Sequence, residues 1–364
     1  MLKNSQDYKE WIDVATELDI LAGKGEIERH YFDVELVTNV VKKMKRFMSK
    51  NDVYALSSLL QNSVLKKDFG GIENPLIYSN SYIAVHPIIP EYFRVTGFAL
   101  DYICRHQDLS LQEKQRFLKK VSVNFGKTAL CLSGGAFLAF FHFGVLKAMY
   151  ENDCLPDIIS GTSVGSFLAS IICCRTNEEL EQVFHPSVSE NAKTLTNDFF
   201  DKIKNFYNTG AVYSVERYRQ DASWGCKGDM TFIEAYRLTG RVLNISITTY
   251  GSTFKSICFN YLNTPDVIIS SAVTASCACP LIIPPHSILM KKEGKKVPFL
   301  DLGKLWVDGS LTADIPEEEL HRTFGVKSII VSQANPHIFF FYPKGTPGSP
   351  NKHRNGHGWY SVLT

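Results

Sequence analysis

Asp157-Ile158-Ile159-Ser160-Gly161-Thr162-Ser163-Val164-Gly165-Ser166-Phe167-Leu168-Ala169-Ser170-Ile171-Ile172 is the stretch on which the fold turns. An apolar run over 157–160 reads as a strand, and 164–174 reads as a helix. Between them Gly161-Thr162-Ser163-Val164-Gly165 leaves room only for a tight turn. Strand, turn and helix in that order make a nucleophile elbow, in which the serine stands on a strained turn and flanking glycines let the backbone pack closely. The turn also sets Ser163 at a helix N-terminus, whose partial positive charge favours a nearby anion.

A second strand-to-helix joint lies upstream. The run 129–132 predicts a strand and 137–151 a helix, joined by Ser133-Gly134-Gly135-Ala136. Consecutive glycines let backbone N–H groups converge on one point without Cβ obstruction. Such a nest stabilises a developing negative oxygen. It matches neither GxxxxGK[ST] nor GxGxxG, which argues against a phosphate loop. Much further on, Asp308-Gly309-Ser310 follows the short strand-like run Leu305-Trp306-Val307. Asp-Gly is by itself a common turn. In company with Ser163 and the glycine loop, Asp308 is the candidate base: a carboxylate bonded to Ser163 Oγ takes its proton with no histidine. The alternative is a triad of Ser163, Asp308 and His337, because His337 follows a strand-like run. His142 reads as a packing histidine rather than a base.

Outward from these motifs, the chain divides by pattern. Apolar residues recur at helical spacing over 9–22, 36–48, 53–65, 92–104 and 111–121. The cluster Asp68-Phe69-Gly70-Gly71-Ile72-Glu73-Asn74-Pro75 predicts a turn among them. Near Gly126 the pattern changes to short apolar runs alternating with helical ones, and further strands are expected over 242–249, 254–259, 267–269 and 328–332. That alternation indicates an α/β domain with a largely parallel sheet. The expected division is a helical region over 1–122, an α/β domain over 123–340, and a polar, disordered tail over 341–364.

Composition narrows the function classes. Lys and Arg number 39 and Asp and Glu 37, a net charge of +2, so no bulk field points to nucleic acid. Basic residues cluster at Lys42, Lys43, Lys45 and Arg46, at Lys66 and Lys67, and at Lys291, Lys292, Lys295 and Lys296. These clusters read either as solvated faces or as contacts to anionic headgroups, each lysine there worth roughly 1 kcal/mol. The last of them is expected to be a loop. All nine cysteines read as small core residues in a reducing compartment, with no metal-ligand spacing. The polar N-terminus lacks a signal-peptide pattern. Residues 128–149 carry one full charge, Lys147, but the internal glycines favour a strand, a turn and a buried helix over a membrane span. Asn244-Ile245-Ser246 fits a glycosylation pattern but falls in a strand-like run.

Leu132-Ser133-Gly134-Gly135-Ala136, His142-Phe143-Gly144-Val145, Gly161-Thr162-Ser163-Val164-Gly165 and Val307-Asp308-Gly309-Ser310 together resemble the patatin-like phospholipase family. The resemblance implies a three-layer α/β/α fold and acyl-ester hydrolysis by a Ser–Asp dyad. It makes Ser163 the nucleophile and Asp308 the base. The amides of Gly134, Gly135 and Ala136 become the oxyanion hole, and Gly161 and Gly165 the elbow glycines. Glu10-Trp11, Thr16-Glu17-Leu18-Asp19, Gly70 to Pro75 and Asn335-Pro336-His337 resemble the eukaryotic patatin-like triacylglycerol lipases of lipid droplets and seed oil bodies, which carry a helical region ahead of the patatin domain. That narrower resemblance implies hydrolysis of triacylglycerol to fatty acid and diacylglycerol, with no metal or cofactor. Peripheral contact with a droplet or endoplasmic-reticulum surface on the cytoplasmic side goes with it. A phospholipase A or lysophospholipase on the same dyad, or an inactive lipid-surface scaffold, are the alternatives. The H-x4-D motif tied to acyltransferase activity in some members is missing here. Family members usually continue beyond the Asn-Pro-His segment, so part of a targeting apparatus is expected outside these residues.

Overall fold

The computed structural model describes residues 7–23, 31–65, 69–74, 77–78, 81–83, 85–184, 215–251, 256–279, 283–299, 305–311 and 314–335. Its described residues fall into two compact units, one within 7–127 and one within 128–335. The expected tail over 341–364 and His337 lie outside the described residues.

Among its described residues the first unit carries five helices: α1 (Tyr8–Leu21), α2 (Val34–Ser49), α3 (Val53–Ser63), α4 (Ile88–Arg105) and α5 (Leu111–Phe125). Four start on a polar cap. Asp7, Asp33, Asp52 and Ser110 each accept a hydrogen bond from the N–H three residues on, and Ser110 with Glu113 closes a capping box. Helix α4 begins at Ile88, four residues before the expected start. Pro90 falls within its first turn, where a missing N–H costs nothing. Helix α5 runs on to Phe125 and stops at Gly126, whose φ of 74° suits glycine. The expected turn is there too, with Gly70 at φ 60° and Gly71 at φ 74°.

The core of this unit is a helix stripe. Val37, Val41 and Met44 of α2 pack with Leu56 and Leu60 of α3 and with Val95, Ala99 and Ile103 of α4. Tyr92 stacks on Phe69 and donates its buried hydroxyl to the Ser63 carbonyl at 2.6 Å. Tyr92→Phe keeps the packing and leaves that carbonyl without this donor. The expected cost is about 1–2 kcal/mol, measured by urea unfolding. A change within error would show that the carbonyl finds another donor.

The second unit is built on a mixed sheet. Its strands are β1 (Lys127–Leu132), β2 (Ile158–Thr162), β3 (Val242–Tyr250), β4 (Ser256–Phe259), β7 (Leu305–Asp308) and β8 (Val326–Ser332). The order is β4-β3-β2-β1-β8, with β7 also on β3. Strands β1, β2 and β3 run parallel, while β4 and β7 are antiparallel to β3. Helices fill both faces. Alternate residues of one strand serve opposite layers: Leu130 and Leu132 pack with Leu168 and Ile172 of helix α7 (Val164–Cys173), and Ala129 and Cys131 with Leu320 and Phe324 of helix α12 (Glu317–Phe324). Two-sided burial is why these strands read as continuous apolar runs rather than alternating ones.

The remaining helices are α6 (His142–Glu151), α8 (Asn177–Val183), α9 (Val215–Gly225), α10 (Phe232–Thr239) and α11 (Ile269–Ser276). Four expectations change. The single helix over 137–151 is a 3-10 turn, Ala136–Phe141, leading into α6. The strand over 267–269 is only a pair of isolated bridges, followed at once by α11. That helix is buried on every side and rich in Ser and Thr. Ser271 and Thr274 donate their hydroxyls to the carbonyls of Ile268 and Ser270, which satisfies those two groups within the helix, while the buried Ser270 hydroxyl has no partner among the described residues. Finally, the basic loop is a hairpin of β5 (Leu289–Lys292) and β6 (Lys295–Pro298). Its two turn residues, Glu293 and Gly294, both have positive φ, as a tight hairpin turn of the right twist requires. Lys291 pairs with Glu234 and Lys296 with Asp229. Of the nine cysteines, all free, Cys104 and Cys154 are exposed rather than core.

Candidate active site

Strand β3 acts as a ruler for the site. Its first half pairs with β2, ending at Thr162 opposite Ser246. Its second half runs past the end of β2 and pairs with β7, so that Asp308 lies opposite Ile247. Ser163 and Asp308 thus leave adjacent rungs of one strand. Gly309 turns the chain directly against β3; a Cβ there would lie 2.6 Å from the Ser246 carbonyl carbon.

Ser163 stands at φ 52°, ψ −131°, a backbone conformation that strains a residue with a Cβ. It persists because its neighbours lock it. A Cβ on Gly161 would lie 2.6 Å from Ser166 Cα, and one on Gly165 would lie 2.5 Å from the Ser133 carbonyl oxygen. The Ser163 N–H donates to Ser276 Oγ at 2.9 Å, and Ser276 in turn donates to the Ser246 carbonyl at 2.8 Å.

Asp308 is only 2% exposed, and the neighbouring Ser163 hydroxyl favours its ionised form. Asp308 Oδ1 also accepts from the Ser310 N–H and the Ser310 hydroxyl, each at 2.8 Å. Burial pushes the Asp308 carboxyl above its ordinary value. The hydrogen bonds from Ser310 and Ser163 oppose that shift, and the charge of Asp314 adds to it. Burial, then the Asp308 charge, push the Cys277 thiol up to about 12, so it stays un-ionised.

The glycine loop lies against the serine. The position of a Cβ on Gly134 is 3.3 Å from Ser163 Cβ. Gly135 has φ 149° and its Cβ would strike the Ala334 carbonyl, and Ala136 has φ 49°. The Gly134 N–H donates to Asp314 Oδ1 at 2.9 Å. The N–H groups of Gly135 and Ala136 make no hydrogen bond to a described residue. Ser133 ties the loop to the end of β8. Its N–H donates to the Ser332 carbonyl, its hydroxyl accepts from the Ala334 N–H, and that hydroxyl donates to the Gly134 carbonyl.

His142 is a structural staple. Its Nε2 faces the Ser133 carbonyl at 3.0 Å, and its Nδ1 faces Ser332 Oγ at 2.7 Å. A carbonyl only accepts, so Nε2 carries the proton and Nδ1 accepts from the Ser332 hydroxyl. Burial lowers its pKa and keeps the ring neutral. Around the site, His286 bonds the Pro284 carbonyl and His321 the Val326 carbonyl, so none of the three rings reaches Ser163 or Asp308. Among the described residues, no cluster of His, Cys, Asp or Glu is built to hold a metal, and no helix is long and apolar enough to cross a membrane. Tyr218, Ser276, Cys277 and Asp314 were not singled out in the sequence. No motif spacing marks them, because packing across the sheet brings them in.

The patatin-like phospholipase model matches residues 130–321, and the model of a domain of unknown function, DUF3336, matches residues 1–123. A patatin-like phospholipase domain-containing protein of Coccidioides immitis is 38% identical over 98% of this chain and 51% of its own length. One from Yarrowia lipolytica is 37% identical over 99% of this chain and 44% of its own length. The triacylglycerol lipase ptl2 of Schizosaccharomyces pombe is 36% identical over 99% of this chain and 58% of its own length. The chain spans about half the length of the curated relatives it matches. With the family model covering more than half of its residues, and with the elbow and glycine loop described above inside that match, the chain belongs to the patatin-like phospholipase family.

Proposed function

We propose that this chain hydrolyses the ester bonds of triacylglycerol at a lipid surface, with Ser163 as nucleophile and Asp308 as base. One observation carries the reading: the strained Ser163 stands beside the buried Asp308 carboxylate and against a glycine loop whose Gly135 and Ala136 amides have no partner among the described residues. As Ser163 Oγ attacks the ester carbonyl carbon, Asp308 takes its proton. The carbonyl oxygen becomes an oxyanion, and loop N–H groups hold it. Removing one such donor typically costs ~10²–10³ in rate. Collapse of the intermediate breaks the ester C–O bond, and Asp308 returns the proton to the departing diacylglycerol. Water then attacks the acyl-serine by the same path in reverse roles and releases the fatty acid. A carboxyl group raised by burial is a better base than an ordinary carboxylate, because its pKa lies closer to the working pH. The dyad needs no metal or cofactor for these steps.

Triacylglycerol as substrate is supported by the name of the fission-yeast relative. Contact with a lipid surface is supported by exposed apolar side chains directly after the glycine loop: Leu138, Phe140, Phe141 and Val145, with Phe141 77% exposed. A phospholipase on the same dyad is the second reading, favoured by the family's own name.

Fatty-acid release from emulsified triolein and from phosphatidylcholine vesicles, with Ser163→Ala as blank, tests this. The expected result is release from triolein that falls to background in the variant. Release from phosphatidylcholine alone would move the substrate to phospholipids. Release from neither would refute the hydrolase reading in favour of a scaffold.

A further inference from the structure

We propose that Asp314 is the positioning residue of the oxyanion loop: it holds the Gly134 amide, and so reserves the Gly135 and Ala136 amides for the oxyanion. The inference rests on the hydrolytic reading above for its consequence in rate, though not for the clamp itself.

Asp314 bonds to three separate segments. Its Oδ1 accepts from the Gly134 N–H at 2.9 Å. Its Oδ2 accepts from Asn335 Nδ2 at 2.6 Å, on the segment that follows β8. Its backbone carbonyl accepts from Thr162 Oγ1 at 2.6 Å, one residue before the nucleophile. Glycine loop, nucleophile strand and the end of β8 are therefore fixed to one another through a single residue. A hydrogen bond to an ionised carboxylate is roughly twice as strong as a neutral one. The loop needs such a hold, because Gly135 and Ala136 both stand at positive φ, where the backbone has little preference of its own. Gly134 stands beside Ser163, with the position of a Cβ on it 3.3 Å from Ser163 Cβ, so any drift of the loop changes the distance between nucleophile and oxyanion donors.

The arrangement also decides which amides serve. A negative carboxylate oxygen already occupies the Gly134 N–H, while those of Gly135 and Ala136 carry no partner among the described residues. An alternative would make Asp314 an inhibitory occupant that must leave before catalysis. Its three-sided anchoring argues against a mobile plug.

Asp314 also faces Asp308 electrostatically. The other groups about Asp308 are Ser163, Ser310, Tyr218, Cys277 and Cys279, of which only Asp314 brings a charge. Neutralising Asp314 therefore moves the acid limb of the pH–rate profile to lower pH, which a merely structural residue would not do.

The test compares Asp314→Ala and Asp314→Asn with the wild-type chain. In hydrogen–deuterium exchange without substrate, Asp314→Ala is expected to raise exchange in residues 133–141 at least tenfold, and Asp314→Asn, which keeps an acceptor oxygen, much less. In triolein hydrolysis Asp314→Ala is expected to lose 10- to 100-fold in kcat with KM little changed. Asp314→Asn is expected to recover most of that, with its acid limb at lower pH. Unchanged loop exchange in Asp314→Ala overturns the clamp, whatever the activity. A kcat at or above wild type overturns positioning, and an increase would mark Asp314 as the inhibitory occupant. Wild-type protein without turnover would instead sink the hydrolytic reading, and the exchange result would still decide the clamp. Should Asp314→Ala not fold, Asn335→Ala loosens the same carboxylate from its other side and takes its place.

Discussion

Asp308→Asn is expected to lower turnover about 10²–10⁴-fold while leaving the protein at least as stable as wild type. The rate loss follows from the proton: a neutral amide cannot take the hydrogen of the Ser163 hydroxyl. Stability runs the other way, because Asp308 is buried and burial raises its carboxyl above the ordinary value. A folded-state pKa raised above the unfolded one means that the native state binds the proton more tightly. The group's stabilising contribution is then full below the unfolded pKa and lost as pH rises through the folded one. At neutral pH the buried charge is a burden that asparagine does not carry. Asparagine Oδ1 still accepts both bonds from Ser310. In wild type the same shift sets the acid limb of turnover. Activity requires the ionised base, so it is lost as pH falls through a value above the usual carboxylate range near 4. Rate against pH and thermal melts of both proteins check this. A variant with near-wild-type turnover ends the dyad, and one that melts several degrees lower at pH 7 ends the account of its cost.

The largest effect on stability is expected at Gly165. A Cβ there would lie 2.5 Å from the Ser133 carbonyl oxygen and 2.9 Å from the Leu132 carbonyl carbon. Both are backbone at the end of β1, held between β2 and β8. Neither can yield without moving the sheet or the glycine loop. Overpacking of this kind costs about 3 kcal/mol or more, so Gly165→Ala should unfold at clearly lower urea or not accumulate folded. Gly144→Ala is the matched control. Gly144 sits in α6, where a Cβ would meet nothing within 4 Å, and alanine in a helix is favoured over glycine by about 0.5–1 kcal/mol. A Gly165→Ala protein within about 0.5 kcal/mol of wild type, the ordinary scatter of surface substitutions, would show that the elbow does not depend on this backbone contact.

The parts of the fold that were legible in the sequence are those made by local interactions. Helices α2 and α3 announce themselves by spacing and by a leading Asp. Two others had signals that periodicity alone passes over, and a third had none. Helix α10 opens with the capping pair Thr231 and Glu234, α12 runs from Glu317, Glu318 and Glu319 to Gly325 in the left-handed region, and α9 is too polar to show a stripe. Helix α11 gave the opposite signal, since its β-branched and serine-rich run favours a strand on its own. Burial from every side and hydroxyl bonds to its own backbone overrode that preference.

The same division holds at the site. By itself the sequence determined the elbow at Ser163 and the glycine turn before the 3-10 segment, because each is a short-range demand for small residues and positive φ. That Asp308 meets Ser163 was decided only by the tertiary structure, through the extra length of β3 that carries β7 beyond the end of β2. So was the grip of Asp314 on the Gly134 amide, a bond between residues far apart in the chain. The physical reason is one of range. A turn is written in neighbouring φ angles, whereas proximity of distant side chains depends on strand order and register, which a single sequence does not spell out.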